Sequence, residues 1–418
     1  MLAILAVPAY GQDLPATPAA AAPPVTSGRF TYRFGVDYML QVSGRRDYPY
    51  NDQRFRDDET FAWWRLKPRL VATSQHLEIV LEGQDTHSAG SAFGARKAWL
   101  DILQAYVEFR DMGPWTASVG RRQGDLDVIP RMVRTSDFAS VIRSFDVAEV
   151  AWRRRNSDVR AFVFTPVDNL PTRFNREKDG ERLWTIYGSH AFGPRATLQS
   201  YVIARHNRDV TSETGEPGSG AVYAWEAQAS GPTPSRLVDW TVETVIERGH
   251  YATDDVRAWG LFLRGDVDLP GRHTLDVRYS FASGDEAHGD GVRGGYDTFY
   301  APASSFGSLG QLKGVNVRSL NVGGNIAISA PLTLSWRYFN THLATRHDIW
   351  YASAMPNIAR PNASSSFLGQ ETDVTLSYRV SRKLQVRTGY YRFFPGGYVA
   401  DGPRRDPSEL RLQIIGGL

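Results

Sequence analysis

From Phe30 the chain falls into alternation: Phe30, Tyr32, Phe34, Val36, Tyr38, Leu40 and Val42 are separated by Thr31, Arg33, Gly35, Asp37, Met39 and Gln41. A period of two places successive side chains on opposite faces of a β-strand. The stretch Phe61 to Ala72, FAWWRLKPRLVA, does this most sharply. Ala62, Trp64, Leu66, Pro68, Leu70 and Ala72 make an apolar row, while Phe61, Trp63, Arg65, Lys67, Arg69 and Val71 make a row centred on three cations. In a soluble sheet the first row faces a core and the second faces water, so one strand alone decides nothing.

Repetition decides it. Further strands are expected over His76–Gln84, Leu100–Arg110, Trp115–Gln123, Asp146–Arg154, Val159–Pro166, Glu181–Ala191 and Ala196–His206. The second half adds Tyr223–Ala229, Val238–Glu247, Trp259–Leu263, Leu275–Phe281, Val317–Ile328, Leu332–Phe339, Glu371–Val380, Leu384–Tyr391 and Glu409–Leu418. Connections are roughly short and long by turns, and no amphipathic helix of any length interrupts them. A sandwich or propeller would need a second apolar row to pack against and would show Greek-key spacing or blade-length repeats, which are absent. About eighteen strands, an even number, with one apolar and one charged row, predict an all-β fold: a transmembrane antiparallel up-and-down β-barrel. On this reading Val36, Leu66, Leu70, Val242 and Val277 face lipid, and Arg65, Arg69, Glu243 and Asp276 face a water-filled lumen. Trp63, Trp115, Trp152, Trp184 and Tyr390, near strand ends, are expected in interfacial girdles.

Composition agrees with a barrel. Hydrophobic residues reach 42% of 418 and mean hydropathy is −0.37, too low for a helical membrane protein, although 11 Trp and 19 Tyr make the chain aromatic. Cysteine is absent, which removes disulfides and thiolate metal sites. The formal charge of +3 has no basic block behind it and gives no reason to expect nucleic acid. The cations are nonetheless unusual in kind, because only five of the 48 are lysine. Arginine grips carboxylates in a bidentate way that lysine cannot, although a GC-rich genome would produce the same bias. Residues 1–11 look like the second half of a secretory signal, cleaved before Gln12, and 12–27 read as a disordered Ala/Pro-rich leader, which leaves 28–418 for the barrel.

No motif supplies chemistry. Gly289-Asp290-Gly291-Val292-Arg293-Gly294 matches a dinucleotide fingerprint by letters, but no helix follows it. The nine histidines are scattered, and Ser308 lacks the spacing of a nucleophile elbow. Asp285, Glu286 and Asp290 lack EF-hand spacing and read as solvated loop charge. No catalytic residues, metal ligands or cofactors are therefore assigned.

Several segments, in order along the chain, resemble the alginate export porins. They are RLKPR at Arg65–Arg69, QAYVEF at Gln104–Phe109, VGRRQ at Val119–Gln123, RSFD at Arg143–Asp146, SGD at Ser283–Asp285, YDTFY at Tyr296–Tyr300, ETD at Glu371–Asp373 and FFPGGY at Phe393–Tyr398. The stretch between VGRRQ and RSFD, GDLDVIPRMVRTSDFAS, lacks the tryptophan usual in that family. The resemblance implies an eighteen-stranded outer-membrane barrel of a Gram-negative bacterium that exports a polyuronate.

Each sugar of a polyuronate carries a carboxylate, so its channel needs lumenal cations with enough counter-charge to prevent sticking. Arg65, Lys67, Arg69, Arg122, Arg143, Arg153, Arg337, Arg379 and Arg387 are the candidate cations, and Asp146, Glu149, Glu243, Glu371 and Asp373 the candidate counter-charges. These groups could equally form a self-neutralising lattice that only stiffens the barrel. The alternative function is a general or small organic-acid uptake porin on the same scaffold; an enzyme would need a converging catalytic set that the sequence does not offer. Expected partners are an anionic polysaccharide or small organic anions, the lipid and lipopolysaccharide around the barrel and, for an exporter, periplasmic export components. Since the leader has no apolar row, a chain beginning at Gly28 should insert and melt as the longer one does. Thermal melting in detergent tests this, and loss of folding would assign the leader to the barrel.

Overall fold

The computed structural model describes residues 25–27, 29–47, 58–90, 98–123, 128–135, 139–171, 173–301, 306–353, 357–360, 363–399 and 405–418. The leader expected over 12–27 thus lies outside the described residues up to position 24. Val25–Ser27 form a short strand against Phe30–Tyr32.

Eighteen long strands follow in chain order. They are β1 (Phe30–Arg46), β2 (Glu59–Thr73), β3 (Leu77–Ala89), β4 (Ala98–Met112), β5 (Trp115–Gln123), β6 (Ser144–Arg154), β7 (Ser157–Asp168), β8 (Glu181–Ala191) and β9 (Thr197–Thr211). The second half comprises β10 (Pro217–Pro232), β11 (Asp239–Tyr251), β12 (Asp254–Leu269), β13 (His273–Ala282), β14 (Val317–Ala327), β15 (Leu332–His342), β16 (Phe367–Ser381), β17 (Leu384–Pro395) and β18 (Ser408–Gly417). Each pairs antiparallel with its chain neighbours. The ring closes where β1 meets β18, from Asp37 opposite Gly417 to Arg46 opposite Ser408. Closure leaves no strand edge, as a sheet in hydrocarbon requires. All eighteen expected strands are present, most extended by a few residues.

One end of the barrel carries tight turns, such as 113–114, 155–156 and 382–383. The other carries the long connections 124–143, 283–316 and 343–366, which in outer-membrane barrels lie on the extracellular side. These three do not stay outside. Ile129, Met132 and Val133, Tyr296, Phe306, Leu309 and Leu312, and Trp350 are buried in one cluster with the wall residues Phe145, Phe164, Leu183, Ile203, Phe262 and Phe393. The apolar core of this protein is therefore the interior of the barrel on one side, filled by its own loops.

The outward rows stay apolar and exposed: Leu66 (43%), Val242 (43%), Val277 (44%) and Val163 (59%) have no protein covering them. Inward rows carry the polar groups, including Glu243 and Asp276, both buried. One girdle assignment needs correction. Trp63 lies opposite Gln41 on the inward row and is buried beside Met39 and Phe61, because the row parity fixed by Arg65 and Lys67 also fixes Trp63. Its neighbour Trp64 is the outward aromatic, stacked on His87 with ring centroids 5.6 Å apart.

This register yields a test on β2. A charge at Leu66, half-way along the strand on the lipid side, should cost about 2 to 4 kcal/mol of stability, whereas Arg69→Leu on the lumenal side should cost much less. Cysteine at position 69 should react with a water-borne thiol reagent and cysteine at 66 should not; the reverse pattern would mean the rows are swapped.

Candidate pore-lining site

The wall carboxylates are organised by the loops that enter the barrel. Arg131, on the 124–143 connection, donates twice to Glu243 of β11, at 2.8 and 2.6 Å, and lies 3.6 Å above the Phe262 ring of β12. That connection is tied to the next one inside the barrel. Tyr300 N–H donates to the Met132 carbonyl at 2.8 Å, Val133 and Tyr300 form a parallel bridge, and the Tyr300 hydroxyl donates to Glu181 of β8. Asp297 pairs with Arg205 of β9, and its backbone N–H donates to Glu247 of β11 at 2.9 Å. Burial works against the Asp297 carboxylate, but the Arg205 guanidinium outweighs it and holds the carboxyl below its usual range.

Further along, Ser308 donates to Asp373 of β16 through its hydroxyl (2.7 Å) and its N–H (3.1 Å), and Leu309 N–H donates to Glu371 at 3.0 Å. Gly307 makes this approach possible. Its φ of 121° belongs to glycine, and a side chain there would run into the Glu371 carboxylate. The Arg411 guanidinium of β18 pairs with Glu409 (2.7 Å) and donates to the Ser308 carbonyl (3.2 Å). The third connection docks on the second through Trp350 Nε1, which donates to the Gln311 carbonyl at 2.7 Å. The entering loops satisfy one carboxylate oxygen each of Glu371 and Glu247, while Glu371 Oε2 and Glu247 Oε1 stay buried without a hydrogen-bond partner among the described residues.

Cations occupy other parts of the inward surface. Lys67 lies 3.3 Å from Glu82 and 3.7 Å from Asp37, and Arg69 is exposed on the same row. On β12, β13 and β15, Arg264, Arg278 and Arg337 share two carboxylates. Arg337 grips Asp276 at 2.7 Å with each of two nitrogens, Arg278 reaches the same Asp276 at 2.7 Å, and Arg264 lies 2.6 Å from Asp266. Arg264 and Arg278 are direct cross-strand neighbours, an arrangement that repels unless an acid intervenes. Arg387 is half-buried on the inward row of β17, and Arg379 is exposed on that of β16, near the short-turn end.

The remaining expected residues separate. Arg122 pairs with Glu149 inside the barrel, and Arg160 of β7 lies 3.7 Å from the same acid. Arg153 meets Asp158 at 3.3 Å by the short turns, and Arg143 lies 4.8 Å over the Tyr300 ring. Arg65 is buried, donates to the Ala139 carbonyl and holds a loop, so it does not line a passage. Asp146 corrects the expectation that it is a lumenal counter-charge. Phe145 and Val147 on either side of it are buried inward, so Asp146 takes the outward side of β6, where Arg121 holds it with two bonds of 2.8 and 3.0 Å.

The sequence reading missed Arg131, Arg205, Arg264, Arg278 and Arg411 as site residues. Arg278 was legible, since it alternates with Val277; Arg131 was not, because a loop has no period to read. Between the loops and the wall lies a recess of roughly 400 Å³, counting its open mouth, bordered by Arg131, Arg134, Phe262, Tyr296, Thr298 and Lys313.

No curated protein matches the chain in sequence. Solved structures match it in shape. The outer membrane protein OpdK of Pseudomonas aeruginosa is similar with a TM-score of 0.64 at 14% identity, covering 92% of this chain and 98% of that one. OpdK solved with vanillate gives 0.63 at 14% over the same shares, and OpdQ of the same organism gives 0.63 at 13%, covering 93% and 98%. At such identities the likeness carries the fold alone. In sequence, the model of the family described as alginate export matches residues 30–411, from the first barrel strand into the last. The chain belongs to the alginate export family: it is an outer-membrane β-barrel channel and not an enzyme.

Proposed function

We propose that the channel passes organic anions that bear carboxylates, drawn by the inward cations, and that its inward loops suit it to small acids. The observation that supports this is the division of labour on the wall. Glu181, Glu243, Glu247, Glu371 and Asp373 are engaged by the entering loops, through N–H groups, hydroxyls and Arg131. Lys67, Arg69 and the Arg264, Arg278 and Arg337 group are attached to the barrel strands themselves. In a confined lumen such cations raise the local concentration of anions, and acids such as Asp276 keep the attraction weak enough for release.

Size favours a small guest. Apart from its open mouth the recess beside Arg131 has room for about one water molecule, so the loops leave little space there, and they are held by a buried bidentate ion pair. OpdK has been solved with vanillate, a small carboxylate, which is the precedent on this fold. Polyuronate passage is the second reading, and membership of the alginate export family favours it. It requires the 124–143 and 283–316 connections to leave the lumen.

Two measurements on reconstituted channels test these readings. Under a salt gradient the reversal potential should report anion preference, and Arg69→Gln should reduce it with little effect on melting, since that side chain is exposed on the inward row. A wild-type channel that prefers cations would overturn the proposal. Small carboxylates should interrupt the wild-type current and long oligouronates should not; block by oligouronates alone would establish the second reading.

Glu243→Gln separates gate from track. It removes the charge that faces Arg131, a change that costs about 3 to 5 kcal/mol where a buried pair is broken. Conductance should rise or flicker as the 124–143 connection loosens, while ion preference persists. An unaltered, quiet current would show that this loop does not narrow the passage.

A further inference from the structure

The long-loop rim holds a group of side chains that anion passage does not use. Glu213, in the tight connection 212–216, and Asp285 and His288, at the root of the 283–316 connection, bring a carboxylate oxygen each and an imidazole nitrogen within 4.8 Å of one another. His288 Nδ1 lies 3.5 Å from Glu213 Oε2. The backbone sets the positions. Gly289 N–H donates to Glu213 at 3.0 Å, Gly294 N–H donates to Asp285 Oδ1 at 2.9 Å, and Glu213 N–H is held by Asp254 at 2.8 Å.

An acidic cluster alone would be ordinary loop charge. The distinguishing observation is the other oxygen of Asp285: the residue is only 6% exposed, yet Oδ2 is buried with no hydrogen-bond partner. A buried, unsatisfied carboxylate oxygen is costly unless something binds it. The Asp285 backbone N–H also goes to a fourth acid, Asp348, at 2.8 Å, so negative charge accumulates here without a guanidinium hydrogen-bonded to Asp285 or Glu213 among the described residues.

We propose that Glu213, Asp285 and His288 bind one divalent metal ion of the kind that accepts imidazole, Zn2+ being the probe, and that the ion pins the root of the 283–316 connection to the barrel rim. Two oxygens and one nitrogen suit zinc, with water completing the shell, whereas calcium would draw on oxygen alone. The pinned connection carries Asp297, Tyr300 and Ser308 into the lumen, so the ion would steady the element that narrows the passage.

The test uses the full chain without a histidine tag, refolded in detergent and stripped with EDTA, then titrated with Zn2+ by calorimetry. One equivalent should bind, and the 283–316 connection should become slower to cut by protease when it does. His288→Ala, at an exposed site, and Glu213→Gln, which keeps the acceptor for Gly289, should each weaken binding about tenfold or more while leaving the metal-free melting temperature in place. A wild-type barrel that takes up less than one equivalent, or variants that bind as the wild type does, would overturn the proposal. Saturation by Ca2+ that is indifferent to His288→Ala would overturn it too, since the imidazole would then have no part.

Discussion

Everything in this protein follows from the need to satisfy a backbone in hydrocarbon with strands alone. A sheet that crosses lipid cannot leave an edge, so the eighteen strands close between β1 and β18. Once closed, every strand must send alternate side chains outward to lipid and inward to whatever the barrel holds. The outward half is settled by transfer from water and is met by Val, Leu, Ile and aromatics. The inward half has no such simple answer, because charges and polar groups face each other across a confined, low-dielectric space.

The interior resolves that problem by bringing in backbone. A loop that enters a lumen carries N–H groups needing acceptors, and the inward rows supply carboxylates needing donors. Leu309 and Ser308 meet Glu371 and Asp373 in this way, and Asp297 meets Glu247. Side chains on the same loops then cover the aromatic parts of the wall, Tyr296 with its ring and Arg131 with its guanidinium face, around Phe262. Each covers the other: the loops that bury these acids also bring them donors, and the wall gives the apolar side chains of the loops a core.

The barrel was legible because period two is a local signal repeated many times. β5 and β8 begin and end where the alternation does. Register errors arose where a residue's chemistry suggested one place and its parity another. Trp63 reads as a girdle residue by type, but it is two positions from Arg65 and must share its side; Asp146 reads as a counter-charge, but it lies between Phe145 and Val147, which are buried in the core. Loop contributions were not legible at all. Arg131 is 112 residues from Glu243, and nothing in the sequence near either one specifies that the two meet.

The same division explains why the arginine excess need not be a lattice. A lattice would pair each cation with a wall acid of its own, and part of the wall does so, as in Arg122 with Glu149 and Arg153 with Asp158. Elsewhere the acids are drawn toward loops, so Arg278 and Arg337 must share Asp276 while Arg264 stands directly across from Arg278. Like charges held this close repel unless negative charge stands between them, as Asp276 does for Arg278 and Arg337. The loops thus take up Glu243, Glu371 and Asp373 on the two strands that flank the Arg264, Arg278 and Arg337 group, and the balance of charge on this part of the wall is set jointly by strands and loops.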